Sequence, residues 1–508
     1  MHLRKFTDLK DGRRTAWLLT AGPGLASVKP ATTGGGMGDV WDVIVIGAGS
    51  AGLPLAIKAA ERGAKILQLE ADYRVGGTLY WSSGQIAGAG TRLQKQHGIE
   101  DSPAEHYRDA QRIAHGSIDP VVLKLTTEHA GPTIDWLMDL GFAPAPGTPV
   151  AGEAHEAYST RRYLWGTQQA VSILNVLKPV HDKLVARGKI DLRLQHRMTG
   201  LMTDTSGAVI GVRAATPSGE QEFRGKNVVL ASGGYAANAK LWTQLTPKVP
   251  LCSYCNPYSR GDGLVAARKL GAVVDSGDKF LCTFAGTRDN PKDPTSGTFL
   301  LLSPGGQSSR RIWEIFVDHT GKRFMQEDHP SIDYRERSLL SRKGMAMHVV
   351  FDHGIMQNAS PIMAEPSAAF RARFGRNPNF VKAKTIAELA RKLGVPAANL
   401  RKTVTEYNKA VDAKVDRKWN KAFLIRRIDK APFYAIKAMG ITVVSPAGLK
   451  VDKQLRVVGK SGKPIRNLYA AGEVLGFART SGDSFVGGLS LTPALTFGRL
   501  LGEHLLKW

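Results

Sequence analysis

Residues 323–337 read RFMQEDHPSIDYRER and offer two groups able to handle a proton, the phenol of Tyr334 and the adjacent guanidinium of Arg335. A phenolate at Tyr334 can abstract a proton beside a ketone, and a guanidinium at Arg335 can protonate a reduced alkene. His329 is a third candidate. The alternative is an ion-pair cluster on the surface, Arg335 with Glu327 or Asp333, because a run this rich in charge does not read as core. The stretch follows IWEIFVDHTGK, which reads as a strand and a turn.

A second constellation lies near residue 40. VWDVIVIGAGSAGLPLAIKAAERGAKILQLEAD runs as an apolar strand, then Gly47-x-Gly49-x-x-Gly52, an Ala-rich helix and a second strand ending at Glu70. Gly47 makes the tight turn, Gly49 with Ser50 and Ala51 lets backbone approach a pyrophosphate, and Gly52 lets the helix pack on the strand. Glu70, 18 residues after Gly52, is placed to accept hydrogen bonds from a ribose. Three later segments choose FAD over NAD. The loop YRVGGTLYWSSGQ brings Gly76, Gly77, Thr78, Ser82, Ser83 and Gly84; a strand ends in Ala231, Ser232, Gly233 and Gly234; and LYAAGEV brings Gly472 and Glu473. An extended dinucleotide needs such contacts from distant parts of one chain.

The 508 residues are enough for two domains, and 43% hydrophobic with 22% charged content is ordinary for a globular chain. No apolar run reaches 18 residues, so no integral membrane segment is expected. The formal net charge of +25 admits nucleic acid or anionic membrane as partners, but the basic residues are dispersed. The densest stretch, 401–427, has nine Lys or Arg against three acids, spaced as a solvated helix face with no nucleic-acid motif. Solubility and attraction for anionic ligands are the reading, with no nucleic acid as partner. Three cysteines make no disulfide framework and point to a reducing, cytoplasmic location. Cys252 and Cys255 form a CxxC without a second ligand pair, so no metal is expected. Residues 1–36 read as a disordered extension or an over-long gene start with Met37 as initiator; GRRTAWLL within them leaves twin-arginine export as the minority alternative.

These segments, with SRGDGLVAARKLGA (Asp262 included), VDHTGKRFMQE, TIAELARKLGVPAANLRKTVTEYN, APFYAIK and GGLSLTPALTFGR, keep one order from about Asp42 to the C-terminus. In that order the chain resembles the fumarate reductase/succinate dehydrogenase flavoprotein superfamily, which includes the 3-ketosteroid dehydrogenases. The resemblance implies an α/β fold, a Rossmann-type FAD-binding domain (37–278 and 432–508) interrupted by an α+β catalytic or capping domain (279–431). Covalent members carry a histidine near the start of the Ser/Gly loop. Leu79 and Tyr80 stand here, so FAD is expected to be held non-covalently. Gly487 and Gly488, with Ser490 and Leu491, would bring backbone N–H groups and a helix N-terminus to the flavin's pyrimidine edge.

The resemblance also implies chemistry at a C–C bond beside a carbonyl. Fumarate-type members clamp two carboxylates with His and Arg residues. Segments 280–291 and 439–448 contain no histidine, and Phe485 stands where a clamping arginine belongs. Arg335 matches the proton-donor arginine only through a small insertion after Glu327, and Arg310 matches a proton-relay position. Ketosteroid-type members use tyrosines; Tyr334 is the nearest counterpart of one, and Phe485 replaces another. Phe284 and Phe485, with Trp313, could line an apolar pocket, and backbone N–H groups of Gly488 and Leu489 could hold the carbonyl. A 3-ketosteroid dehydrogenase-like enzyme on a bulky apolar ketone is the leading expectation. Reduction of an enoate with Arg335 as donor is the alternative, and a non-catalytic flavin-binding protein the second. No second Rossmann motif for NAD(P)H is present, so a separate electron donor or acceptor is expected.

Overall fold

The computed structural model describes residues 40–302 and 310–505. The expectations for residues 1–36, including export, lie outside them. Val40–Trp508 clusters as one compact unit.

Val40–Ile46 is buried along nearly its whole length, as suits a strand flanked on both sides by parallel neighbours. It lies between Ile66–Leu69 and Gly219–Leu230, and the sheet continues to Ile190–Arg193 at one side and Pro464–Ala470 at the other. All these pairings are parallel; Arg456–Val458 closes the far edge antiparallel. The hairpin of Arg197–Thr203 and Val209–Thr216 adds to Gly219–Leu230. Helix Gly52–Glu61 follows the first strand and packs on the C-terminal helix Thr492–His504. The strand that brings the chain back, Pro464–Ala470, pairs in parallel with Gly219–Leu230, one strand removed from Val40–Ile46.

The second sheet is mixed in sequence order but antiparallel in every pairing: Gly297–Phe299, Thr283–Arg288, Phe433–Ile441, Ala346–Asp352 and Ile315–Val317, with Phe380–Ala383 also on Phe433–Ile441. Phe433–Ile441, which begins one residue past the expected return point at 432, thus sits at its centre. Helix Ile332–Leu340, which carries Tyr334 and Arg335, is capped by Ser331 accepting from the Tyr334 N–H and packs on Thr283–Arg288. One apolar core runs through both sheets. Among the described residues no helix is long and apolar enough to cross a membrane.

The charged run 323–337 is not the surface feature its composition suggests. Glu327 and Arg335 are fully buried, and Arg323 and Glu336 nearly so. Pairing explains the burial: Arg323 makes a two-pronged bond to Glu327 (2.7 and 2.6 Å) and a further one to Asp416 (2.7 Å). Lys421 lies 3.8 Å from Glu327, so the charges of this cluster offset one another in the interior.

Candidate active site

The nucleotide end is built where the first strand stops. Gly47 turns with φ +105°, and a Cβ there would lie 2.4 Å from the Ala231 carbonyl oxygen. A Cβ on Gly52 would lie 2.0 Å from the Gly47 oxygen, so strand and helix meet with no room for a side chain. Gly49 and Gly77 face each other across the cleft; a Cβ on Gly77 would stand 3.2 Å from the Gly49 Cα. Glu70 accepts from the Ala48 N–H (2.7 Å) and the Asp72 N–H (2.9 Å). Burial nevertheless raises its pKa, those two bonds opposing the shift.

The cleft is lined by Gly47, Gly49, Ser50, Ala51, Glu70, Gly77, Thr78, Ala231, Ser232, Gly233, Asp262, Gly472 and Glu473, thirteen of the positions expected from sequence. The Ser232 hydroxyl is buried there without a partner among the described residues, a polar atom awaiting a ligand. Asp262 is forked by Arg197 (2.6 and 2.8 Å), and Glu473 accepts from the Ser445 N–H at 2.8 Å. Gly234 packs on the Glu473 carboxyl. Of the Ser/Gly loop, Gly76 lies against Tyr80 and Leu174, Ser82 accepts from the Gly84 N–H, and Ser83 donates to Gln85. Sequence reasoning missed His196, Met198, Asn256, Tyr258 and Ser259 on the cleft wall. They come from segments with no motif of their own. The glycine cradle, the orphaned hydroxyl and the buried acid together fit FAD.

At the other end Gly488 has φ +81°, and a Cβ on it would strike the Ala87 nitrogen at 2.5 Å. Thr492 ties the C-terminal helix to the same point by accepting from the Ala87 N–H (2.9 Å). The Leu489 N–H, expected to hold a carbonyl, donates to the Val486 oxygen at 3.0 Å, because the Gly pair closes a turn there. Ser490 is exposed and Leu491 buried.

The proton candidates separate. Helical geometry gives Ile332–Leu340 three faces. Tyr334 lies on the outer one: it is 38% exposed, stacks on His329 at 4.1 Å, and its hydroxyl accepts from the Gln326 N–H (3.3 Å). Arg335 points into the interior. It donates to the Leu302 and Glu327 carbonyls and lies 5.1 Å from the Phe284 ring centroid, while its Nε and Nη2 have no partner among the described residues. Burial pulls its pKa down, only partly offset by Glu336 and Asp328. The expected surface pairing of Arg335 is absent, since the Glu327 carboxylate is taken by Arg323 and the Asp333 carboxylate by His155. Arg310 is nearly buried, paired with Glu314 at 2.9 Å and donating to the Ser360 oxygen.

The third face, Asp333, Glu336 and Arg337, meets the loops that carry His155 and Ser484. His155 Nδ1 lies 2.9 Å from Asp333, and the His155 ring stacks on Phe485 with centroids 4.0 Å apart. Glu336 is fully enclosed and accepts from the Phe284 N–H (3.0 Å). Burial raises its carboxyl to about 8, so it is mostly protonated at neutral pH. Arg337 donates to Ser484 (2.8 Å), which also lies 3.4 Å from His115. Sequence reasoning missed all of these except Phe485. The signal present was the i, i+3, i+4 spacing of Asp333, Glu336 and Arg337 on one helix face. His155 sits in a turn-rich segment with nothing to mark it.

Cys252 and Cys255 are both free, and burial pushes their thiols up to about 11 and 12, which removes the thiolate a redox pair uses.

A family model described as FAD binding domain matches residues 42–484. The fumarate reductase (cytochrome) of Shewanella frigidimarina is 27% identical over 472 residues, covering 92% of this chain and 78% of that protein. The urocanate reductase of Eggerthella lenta is 28% identical over 475 residues, covering 91% and 74%. Among solved structures, the open form of a flavocytochrome c3 fumarate reductase aligns with TM-score 0.68 at 25% identity, over 92% of this chain and 78% of that one. The 3-ketosteroid-Δ4-(5α)-dehydrogenase of Rhodococcus jostii RHA1 aligns with TM-score 0.64 at 23% identity, over 92% and 97%, a likeness of fold. The chain belongs to the FAD-binding family of the fumarate reductase/succinate dehydrogenase flavoprotein superfamily, and is a flavin-dependent oxidoreductase acting on CH–CH bonds.

Proposed function

We propose that this family member reduces a carbon–carbon double bond conjugated to one carbonyl or carboxyl group, in a substrate with an otherwise apolar body. The observation that carries this is the make-up of the junction between helix Ile332–Leu340 and the Gly487–Gly488 pair. Among the described residues it offers one guanidinium, Arg337, beside Ser484, and the half-buried ring of Phe485. A substrate with two carboxylates would leave one without a guanidinium to fork it, at a cost of several kcal/mol. One acceptor group held by Arg337 and Ser484, with the body against Phe485, is the arrangement these side chains satisfy. The named activities of the fumarate and urocanate reductases support reduction as the direction.

FAD, when bound in the glycine-lined cleft, supplies the hydride. The residues of the chain hold the acceptor group, exclude water and furnish a proton to the carbon next to the one reduced. Arg335 remains a rival proton donor because two of its guanidinium nitrogens lack partners among the described residues.

Dehydrogenation of a bulky ketone is the second reading, favoured by the phenylalanine that replaces a clamping cation at 485. An anaerobic experiment separates the two. Pre-reduced protein is mixed with fumarate, with a cinnamate-type monocarboxylate and with an enone, and oxidised protein with a saturated 3-ketosteroid, while the flavin band is followed. Return of the oxidised band with the monocarboxylate or enone, but not with fumarate, supports the proposal. Bleaching by the ketosteroid, with no response to any alkene, supports the second reading and sinks the first.

A further inference from the structure

We propose that His155, held by Asp333 and backed by Glu336, is the acid–base group of this reaction; the assignment rests on the reductase reading above. Its segment is pinned on both sides. The Ala154 carbonyl accepts from the Ile332 N–H (2.9 Å) and the Glu156 N–H donates to the second oxygen of Asp333 (2.6 Å), so the residues flanking His155 are docked on the helix start. Three residues on, the Tyr158 hydroxyl donates to the Gly487 carbonyl at 2.5 Å. The same short segment therefore bridges the helix of the second domain and the Gly pair of the first, with His155 between them.

Orientation decides which nitrogen works. Nδ1 is committed to Asp333 at 2.9 Å, which fixes the tautomer and leaves Nε2, without a partner among the described residues, as the atom that exchanges protons. Stacking on Phe485, three residues before Gly488, holds the ring plane. An imidazole with one nitrogen on a carboxylate and the other open is the arrangement of a general acid–base group. Glu336 completes it: His155, Asp333 and Glu336 each place a polar atom within 4.8 Å of the others. The enclosed Glu336 stays protonated near neutral pH, which makes it a store from which the imidazole can be refilled. Neither rival is as well placed. The Tyr334 hydroxyl faces outward, and Arg335 is bonded to the Leu302 and Glu327 carbonyls.

The step assigned to His155 is proton transfer alone. The Nε2–H bond breaks and a C–H bond forms on the alkene carbon next to the one that takes hydride. The hydride's two electrons come from reduced flavin, and neutral His155 is reprotonated from Glu336 or solvent. Burial works against the charged imidazole, but the groups led by the Asp333 hydrogen bond outweigh it and raise its pKa. The facing groups are Asp333, Glu336 and Arg337 of the helix, Glu153 of its own segment, Arg335 behind Glu336, and His115 beside Arg337. Reduction needs the protonated form, so its rate is full at low pH and falls as pH rises through the His155 pKa; dehydrogenation runs the opposite way.

The test compares wild-type protein with His155→Gln, Asp333→Asn and Arg335→Lys, all loaded with FAD. Reoxidation of the reduced flavin by a cinnamate-type acid or an enone is followed over pH, with deuterium counted in product formed in D2O. The expected result is a loss of roughly 10²–10⁴-fold in His155→Gln, with flavin content and alkene affinity held and the alkaline fall in rate gone. Asp333→Asn should move that fall to lower pH. Imidazole NMR titration of the oxidised protein, with no alkene present, should show one resonance, missing in His155→Gln, whose pKa drops in Asp333→Asn. His155→Gln within threefold of wild type, an unchanged pH profile, or a larger loss in Arg335→Lys overturns the assignment. Should His155→Gln fail to fold, His155→Asn and the Asp333→Asn titration decide. Wild-type protein that reduces no alkene at all refutes the reductase reading itself, a result distinct from a wild type that works and a variant that works equally.

Discussion

His155 and Phe485 lie ring on ring, centroids 4.0 Å apart and planes 25° from parallel. A stack of this kind contributes about 0.5–1.5 kcal/mol beyond burial. Phe485→Leu keeps an apolar side chain and removes the stack. It is expected to slow alkene reduction by roughly 3–10-fold and to shift the His155 ring-proton resonances, read by stopped flow and NMR. Unmoved resonances would mean that Asp333 alone positions the ring.

Tyr334→Phe is expected to keep alkene reduction within about threefold, since the hydroxyl removed only accepts from an exposed backbone N–H. Stopped-flow reoxidation of the reduced flavin checks it. A loss of 100-fold or more would return the phenol to the chemistry and favour the ketone reading.

Glu336 links stability to pH. Its carboxyl is raised from 4.5 to about 8 by burial, so the folded chain binds a proton that the unfolded chain gives up. That contribution is fully present below about pH 4.5 and is lost as pH rises through about 8. Glu70 and Glu473 shift the same way, so the informative quantity is a difference between proteins. Between pH 6 and 9 the unfolding free energy of wild-type protein, followed through its Tm, is expected to fall more than that of Glu336→Gln, by on the order of a few kcal/mol at most. Parallel Tm curves would show that Glu336 titrates normally.

Much of the nucleotide end was legible because backbone geometry there demands a residue type. A strand must turn at Gly47 and a helix must touch it at Gly52, and only glycine fits both places. The reaction end was not legible in the same way. Asp333, Glu336 and Arg337 are ordinary residues on a polar helix, and what sets them apart is a loop about 180 residues earlier that brings His155 to them. The charge run 323–337 also misled by composition, because its burial depends on Asp416 and Lys421, distant residues that pair with it. Long-range pairing of common residue types leaves no local signal.

The Gly487–Gly488 pair gives an ordering that backbone geometry alone dictates. At Gly488 an added Cβ meets backbone, the Ala87 nitrogen at 2.5 Å and the Ile86 carbonyl carbon at 2.6 Å, in a conformation of φ +81° that L side chains rarely adopt. At Gly487 the same atom meets only the edge of the Tyr163 ring, at 3.1 Å. Gly488→Ala should therefore displace the strand Ile86–Ala87 or the turn itself, costing roughly 2–4 kcal/mol, while Gly487→Ala should cost about 1 kcal/mol or less because a ring can shift. The C-terminal helix is tied to that strand through Thr492 and Ala87, so the displacement carries to the helix N-terminus. Gly488→Ala should consequently also lose FAD on gel filtration, whereas Gly487→Ala keeps it. Equal Tm values and equal flavin content for the two variants would show that this turn is softer than its contacts imply.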